Sequence, residues 1–284
     1  MTTALAERRV PGGPPRESRV ARWVGRAWFY LPAVVVFVGT IALWEIVVRN
    51  VQIRAFPLPA PTQIADALQQ NWSAGRWPLS KAATATLFEA IGGLAIGTTA
   101  GLGVAFVTAR FTTARELLLP LSIGAGAVPI IAFAPLMNNW FGVLNPLSKM
   151  MIVAVLVFFP VVINVIRGLT QVDPAALELM RSYASSEWAI LRKLRVPNAL
   201  PYFFTALKVG TTLSLIGAIV GEYFGGSSEV LGRVIVQSAS ALRFDVTWAA
   251  IVLSAATGIV FYLVVVAIER LVIPWHASVR GHER

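Results

Sequence analysis

The 284-residue chain has no cysteine, so it forms no disulfide and offers no thiolate nucleophile or Cys-ligated metal site. Histidine is nearly as scarce. His276 and His282 both lie in the polar C-terminal tail, which excludes imidazole chemistry within any apolar run. Charge is sparse as well: 13% of residues are charged, about half the share in a soluble domain, while 56% are hydrophobic and mean hydropathy is +0.69. That balance excludes a disordered chain and argues against an ordinary soluble domain. Nowhere does Gly-x-x-x-x-Gly-Lys-Ser/Thr occur, so the chain has no phosphate-binding loop of that kind.

What the chain has is long apolar runs. Stretches of about 20 apolar residues, enough to cross a ~30 Å hydrocarbon core, fall at 29–48, 87–109, 117–136, 150–166, 203–223 and 247–268. The expected fold is an all-α membrane protein of six transmembrane helices. It forms a single domain over 28–284, after a basic Pro- and Gly-rich segment, 1–27, expected to be disordered. The first run follows a cluster of arginines, as in a signal peptide. It is longer than the core of about 7–15 residues of a signal and ends in Val47-Val48-Arg49-Asn50 without a small-x-small site, so it reads as a retained span.

The net charge of +10 comes from 24 Lys and Arg against 14 Asp and Glu. Sixteen of the 24 basic residues fall on the side of the termini and seven on the other, with Lys208 inside the fifth run. The positive-inside rule then puts both termini in the cytoplasm, and the charge reports topology in a lipid membrane rather than nucleic-acid binding.

The largest cytoplasmic loop, 167–200, carries strong helix signals. Asp173 is an N-cap with Pro174 in the first helical position, and this helix ends near Tyr183. Ser185 or Ser186 caps a second helix, which Pro197 is expected to stop. On the other side, Leu58-Pro59-Ala60-Pro61-Thr62 opens a short helix over 63–72, and 138–148 reads as a turn-rich loop.

The loop resembles the Glu-Ala-Ala loop of bacterial ABC-importer permeases, in which that triplet is followed by three residues, Gly, nine residues and Ile-x-Leu-Pro. Glu178 stands at the Glu, Leu194 and Val196 at the Ile and Leu, and Pro197 at the Pro, with the spacing intact. The departures are Leu179 and Met180 for the alanines and Ala184 for the glycine. Val172-Asp173-Pro174, Arg181-Ser182-Tyr183, Pro197-Asn198-Ala199-Leu200-Pro201, Leu58-Pro59-Ala60-Pro61, 129–135 and Glu222 with Gly225-Gly226-Ser227-Ser228 are similar to one branch. That branch carries nitrate, sulfonates, taurine and thiamine- or riboflavin-related heterocycles. Asn138-Asn139-Trp140-Phe141-Gly142 resembles its heterocycle permeases more than its sulfonate ones.

The resemblance implies a permease subunit of an ATP-driven importer in a prokaryotic cytoplasmic membrane. It implies a homodimer, two ATP-binding subunits that hold the Mg-ATP, and an extracytoplasmic substrate-binding protein. It implies no cofactor and no catalysis in this chain. The loop would be the ATPase-coupling element, through Glu178, Arg181, Ser182, Tyr183, Ala184, Ser185 and Pro197. An intramembrane enzyme would need a nucleophile, a carboxylate pair or His ligands at matching depth, and the runs hold no Cys or His and only acids near their ends on different helices. A secondary transporter or channel without an ATPase would leave the helical loop without a role.

Other features carry two readings each. Gly93, Gly97 and Gly101 form a smooth helix face, for packing within the subunit or between subunits. Pro129 and Pro135, with Ser122, Gly124, Ala125, Gly126 and Ala127, describe a bent third span that lines the pathway or merely kinks. Glu45 and Glu89 fall near the outer span ends and are expected to reach the interface; Glu222 is either a gate or receptor contact or a solvated end. Lys208 reaches inner headgroups or faces the pathway.

Overall fold

A computed structural model describes residues 19–50, 58–110, 120, 124 and 129–274. Residues 1–18, His276, His282 and most of the expected third span (111–119, 121–123 and 125–128) lie outside the described residues. Every regular element among the described residues is helical. Five helices are long and apolar enough to cross a membrane, and the chain divides into two compact bodies, 1–56 with 60–62 and 57–59 with 63–284.

The first body contains α1 (Arg19–Asn50), whose apolar stretch is Tyr30–Asn50. None of its described side chains is buried, which suits a helix whose apolar surface meets lipid. The helix begins at Arg19, within the basic segment expected to be disordered. Glu45 does not simply reach for water: its carboxylate accepts from Thr62 N (3.1 Å) and Thr62 Oγ1 (2.8 Å) and pairs with Arg49.

The second body begins with most of α2 (Pro61–Gln70) and is built on α3 (Leu79–Arg110), α5 (Pro146–Thr170) and α8 (Val196–Tyr223). Between α3 and α5 come a 3₁₀ turn, Ile130–Phe133, and α4 (Ala134–Phe141). Gly93, Gly97 and Gly101 of α3 lie against Val153, Ala154 and Val161 of α5 in ascending order, so the two helices run in the same direction. A Cβ at Gly97 would stand 2.4 Å from the Ala154 carbonyl oxygen, which is backbone and cannot yield. Helix α8 returns antiparallel, with Gly221 at Lys149 and Ile152, Gly217 at Val153 and Leu156, and Gly168 of α5 at Ala199. Leu94, Val153, Val157, Val161, Ala206 and Leu215 form the core of this triplet. Helices α9 (Leu231–Ser240) and α10 (Phe244–Val272) complete the body.

The helices overrun the expected spans. Helix α3 starts before 87, α5 covers more than 150–166, and α10 extends beyond 247–268 at both ends. Expected loop residues Asn138–Phe141 belong to α4; Gly142 (φ 93°) ends it and Asn145, accepting from Leu147 N at 3.0 Å, caps α5. Pro135 stands in the first turn of α4, where a proline costs no hydrogen bond, instead of bending a helix interior.

The expected stop at Pro197 is also corrected. A helix starts at α7 (Glu187–Ile190), widens into a π turn at Leu191–Arg195 and continues into α8 without a break. The π turn carries the chain past the point where Pro197 lacks a donor, so the proline sits in the first turn of a new α segment.

Candidate functional site

Two polar regions stand at opposite ends of the α3–α5–α8 bundle. One is the loop between α5 and α7, which holds α6 (Pro174–Ser182). Asp173 caps this helix by accepting from Ala175 N at 3.0 Å, and Ser186 caps α7 by accepting from Ala189 N at 3.3 Å. Helix α6 buries no residue, and Glu178, Arg181, Ser182 and Ala184 are exposed. Tyr183 is 76% exposed, Trp188 70% and Leu179 57%, so an aromatic and apolar surface accompanies the charges. Ser185 is half-buried and Pro197 exposed. Ile190, fully buried, anchors the loop to the body.

The turn after α6 explains the position where the family pattern has glycine. Ala184 has φ 49°, the left-handed region. Its amide donates to Arg181 O (2.9 Å) and the Ser185 amide to Met180 O (3.1 Å), the bond pair of a Schellman cap. Glycine enters that region freely and alanine does so against a steric penalty.

At the far end, Thr86 and Glu89 of α3, Lys149 of α5 and Glu222 of α8 converge, and all four are buried. This overturns the expectation that Glu89 reaches the interface and the reading of Glu222 as a solvated end. Helix α9 has no side-chain cap of its own at Val230. Its first amides are satisfied from elsewhere: Leu231 N donates to Thr86 Oγ1 at 2.9 Å and Gly232 N to Glu222 Oε2 at 2.5 Å. A carboxylate there also complements the positive end of the helix dipole. Glu89 stands within hydrogen-bonding reach of Glu222, and both feel the charge of Lys149, whose ammonium donates to Val143 O. Two carboxyl groups this close away from water are accommodated by a proton shared between them or by opposite charge beside them.

Lys208 stands half-buried in α8, on the side of α10. Its ammonium pairs with Glu269 of α10, 2.8 Å from Oε2 and 3.0 Å from Oε1. Sequence reasoning missed Glu269, Thr86 and α9. Glu269 falls one position beyond the expected sixth span, and α9 lies in a stretch dominated by its glycine and serine signals. Pro129 starts the 3₁₀ turn, its carbonyl accepting from Ala132 N at 2.8 Å, and both Pro129 and Pro135 are exposed. The rest of the third span lies outside the described residues. Among the described residues, no group of three or more His, Cys, Asp or Glu could hold a metal ion.

These elements define a class, an all-helical multi-pass membrane protein with a capped, unburied helix at one end. Residues 93–274 match the family described as binding-protein-dependent transport system inner membrane component, and the chain belongs to it. It is a permease subunit of an ABC importer and a multi-pass inner membrane protein, which sets aside a channel or secondary transporter. The family is one of transport permeases rather than catalytic domains. Among its relatives, a riboflavin transport system permease of Chloroflexus aurantiacus is 28% identical over 251 residues, 88% of this chain and 92% of that one. A formylaminopyrimidine transport permease of Halalkalibacterium halodurans is 27% identical over 253 residues, 88% and 98% of the two chains. A taurine transport system permease of Escherichia coli is 26% identical over 278 residues, 93% and 96%.

Proposed function

We propose that this permease crosses the membrane six times with both termini in the cytoplasm, and that α6 is its coupling helix, seated in a groove of an ATP-binding subunit. The observation that carries this reading is a helix capped at both ends that buries nothing of its own. Helices gain most of their stability from burying a face, and α6 has that face still to bury, with Leu179 and Tyr183 exposed beside Glu178 and Arg181. Ser182, Ala184 and Ser185 form the turn that presents it, and Pro197 starts the span that receives the motion. Two copies of the chain and two ATP-binding subunits make the working unit. The Mg-ATP is held by those subunits, and this chain carries no cofactor.

The solute reaches the far, extracytoplasmic end on a binding protein. The solute class is a small heterocycle related to pyrimidines or riboflavin, or a sulfonate, taurine or nitrate; the relatives' transport of riboflavin, formylaminopyrimidine and taurine supports this range. Glu222, by capping α9, sets the outer gate. Pro129 and Pro135 flank the pathway at the break before α4, and Lys208, with Glu269, fixes α8 against α10 beside it.

The test is co-purification with the ATP-binding subunit. Arg181→Glu and Tyr183→Ala are expected to cut recovery of that subunit about tenfold or more, as loss of an interface anchor worth about 2 kcal/mol does. Wild-type recovery by both variants would refute the assignment of α6.

A further inference from the structure

The two ends of the loop are tied together by one side chain that neither the caps nor the exposed surface of α6 involves. Asn198, half-buried in the first turn of α8, donates from Nδ2 to Gly168 O at 2.8 Å and to Gln171 O at 3.0 Å. Both acceptors belong to the end of α5, where the last carbonyls of a helix have no intrahelical partner. A neutral carboxamide has two N–H bonds on one nitrogen, and here each meets one of these carbonyls. The backbones are close enough for it: a Cβ at Gly168 would stand 2.7 Å from the Ala199 Cα.

What this joint does follows from what lies on either side of it. Below it stands α6, attached to α5 through 171–173 and to α8 through α7 and the π turn Leu191–Arg195. A π turn has wider hydrogen-bonded rings than an α-helix, and such turns recur at functional sites and at helix kinks. A push on α6 can therefore be absorbed as the ends of α5 and α8 part, or it can move both helices together. The hydrogen bonds of Asn198 close the first route.

We propose that Asn198 is a positioning residue that makes the ends of α5 and α8 one rigid base, so that displacement of α6 reaches the far end of the bundle. This rests on the reading of α6 as the coupling helix. The substitution that removes the joint with least change of shape is Asn198→Asp, which keeps the size and loses both donors. Asn198→Gln keeps the donors on a longer stem.

The absence of native cysteine allows a reporter at the far end. Ser228→Cys, in the exposed turn before α9, is labelled with a maleimide in the complex with the ATP-binding subunits, free of nucleotide and after trapping with Mg-ATP and orthovanadate. With Asn198 present, trapping is expected to change the labelling rate about fivefold or more, the lower end of an ordinary coupling between sites. In Asn198→Asp the ratio falls to about one while ATP hydrolysis by the complex persists, and in Asn198→Gln most of the change returns. Should Asn198→Asp not assemble, Asn198→Ala, which has no donor either, is read in the same way.

A full response in the variant without donors overturns the clamp and leaves the coupling reading standing, as does equal loss in the Asp and Gln variants. No response in the parent, with the ATP-binding subunits bound and hydrolysing, overturns the coupling reading itself.

Discussion

Ala184 shows how one atom can be read twice. Its place at the glycine of the family pattern was visible in the sequence, but the reason for glycine was not, because φ 49° belongs to the folded turn alone. Ala184→Gly is expected to stabilise the turn by about 1 kcal/mol. Hydrogen exchange at the Ser185 amide, which donates to Met180 O, would slow about fivefold. Unchanged or faster exchange would show that the left-handed turn carries no strain. Lys208 was visible as a charge within an apolar run; its partner was not, since Glu269 reads as the flank of a span. With Glu269 buried, Lys208→Met leaves a carboxylate unpaired and is expected to cost about 3–5 kcal/mol, while Lys208→Met with Glu269→Met recovers most of it. Thermal unfolding of the solubilised protein measures both, and additive losses would deny the pairing.

At the scale of elements, hydropathy located the five spans that the described residues contain, because a run of apolar side chains is what a span is made of. It located their ends poorly, because helices continue through polar residues that other helices satisfy. Glu89 and Glu222 looked like span ends by composition, and they are interior because Thr86, Lys149 and the start of α9 surround them. Pro197 looked like a stop, and the π turn before it carries the helix on. The Gly93, Gly97 and Gly101 face was legible as a contact, and only the packed structure gives its partner, α5. Gly97→Val drives methyl groups into the Ala154 carbonyl and is expected to destabilise the α3–α5 pair by about 3 kcal/mol. Gly103→Ala meets nothing within 4 Å and is expected to be neutral, or slightly stabilising through helix propensity. Equal melting temperatures for the two variants would contradict the assigned packing face.

For the whole molecule, the sequence supplied the family through the spacing of Glu178, Leu194, Val196 and Pro197, and residues 93–274 match that family. Less legible was the division of labour between ends. The loop end keeps a helix without a buried face, and the far end keeps four buried polar residues from three spans, two of which cap α9. On the function proposed above, the unfinished surface receives the force and the locked end releases the gate. The most direct measurement is import into proteoliposomes that contain this chain with its ATP-binding subunits, given the binding protein on the side opposite α6 with riboflavin, a formylaminopyrimidine and taurine in turn. Uptake of at least one solute that requires Mg-ATP on the side of α6, and persists when ion gradients are collapsed, is the predicted result. Uptake driven by an ion gradient without ATP, or ATP-driven uptake that survives the combined Arg181→Glu and Tyr183→Ala substitution unchanged, would contradict the account.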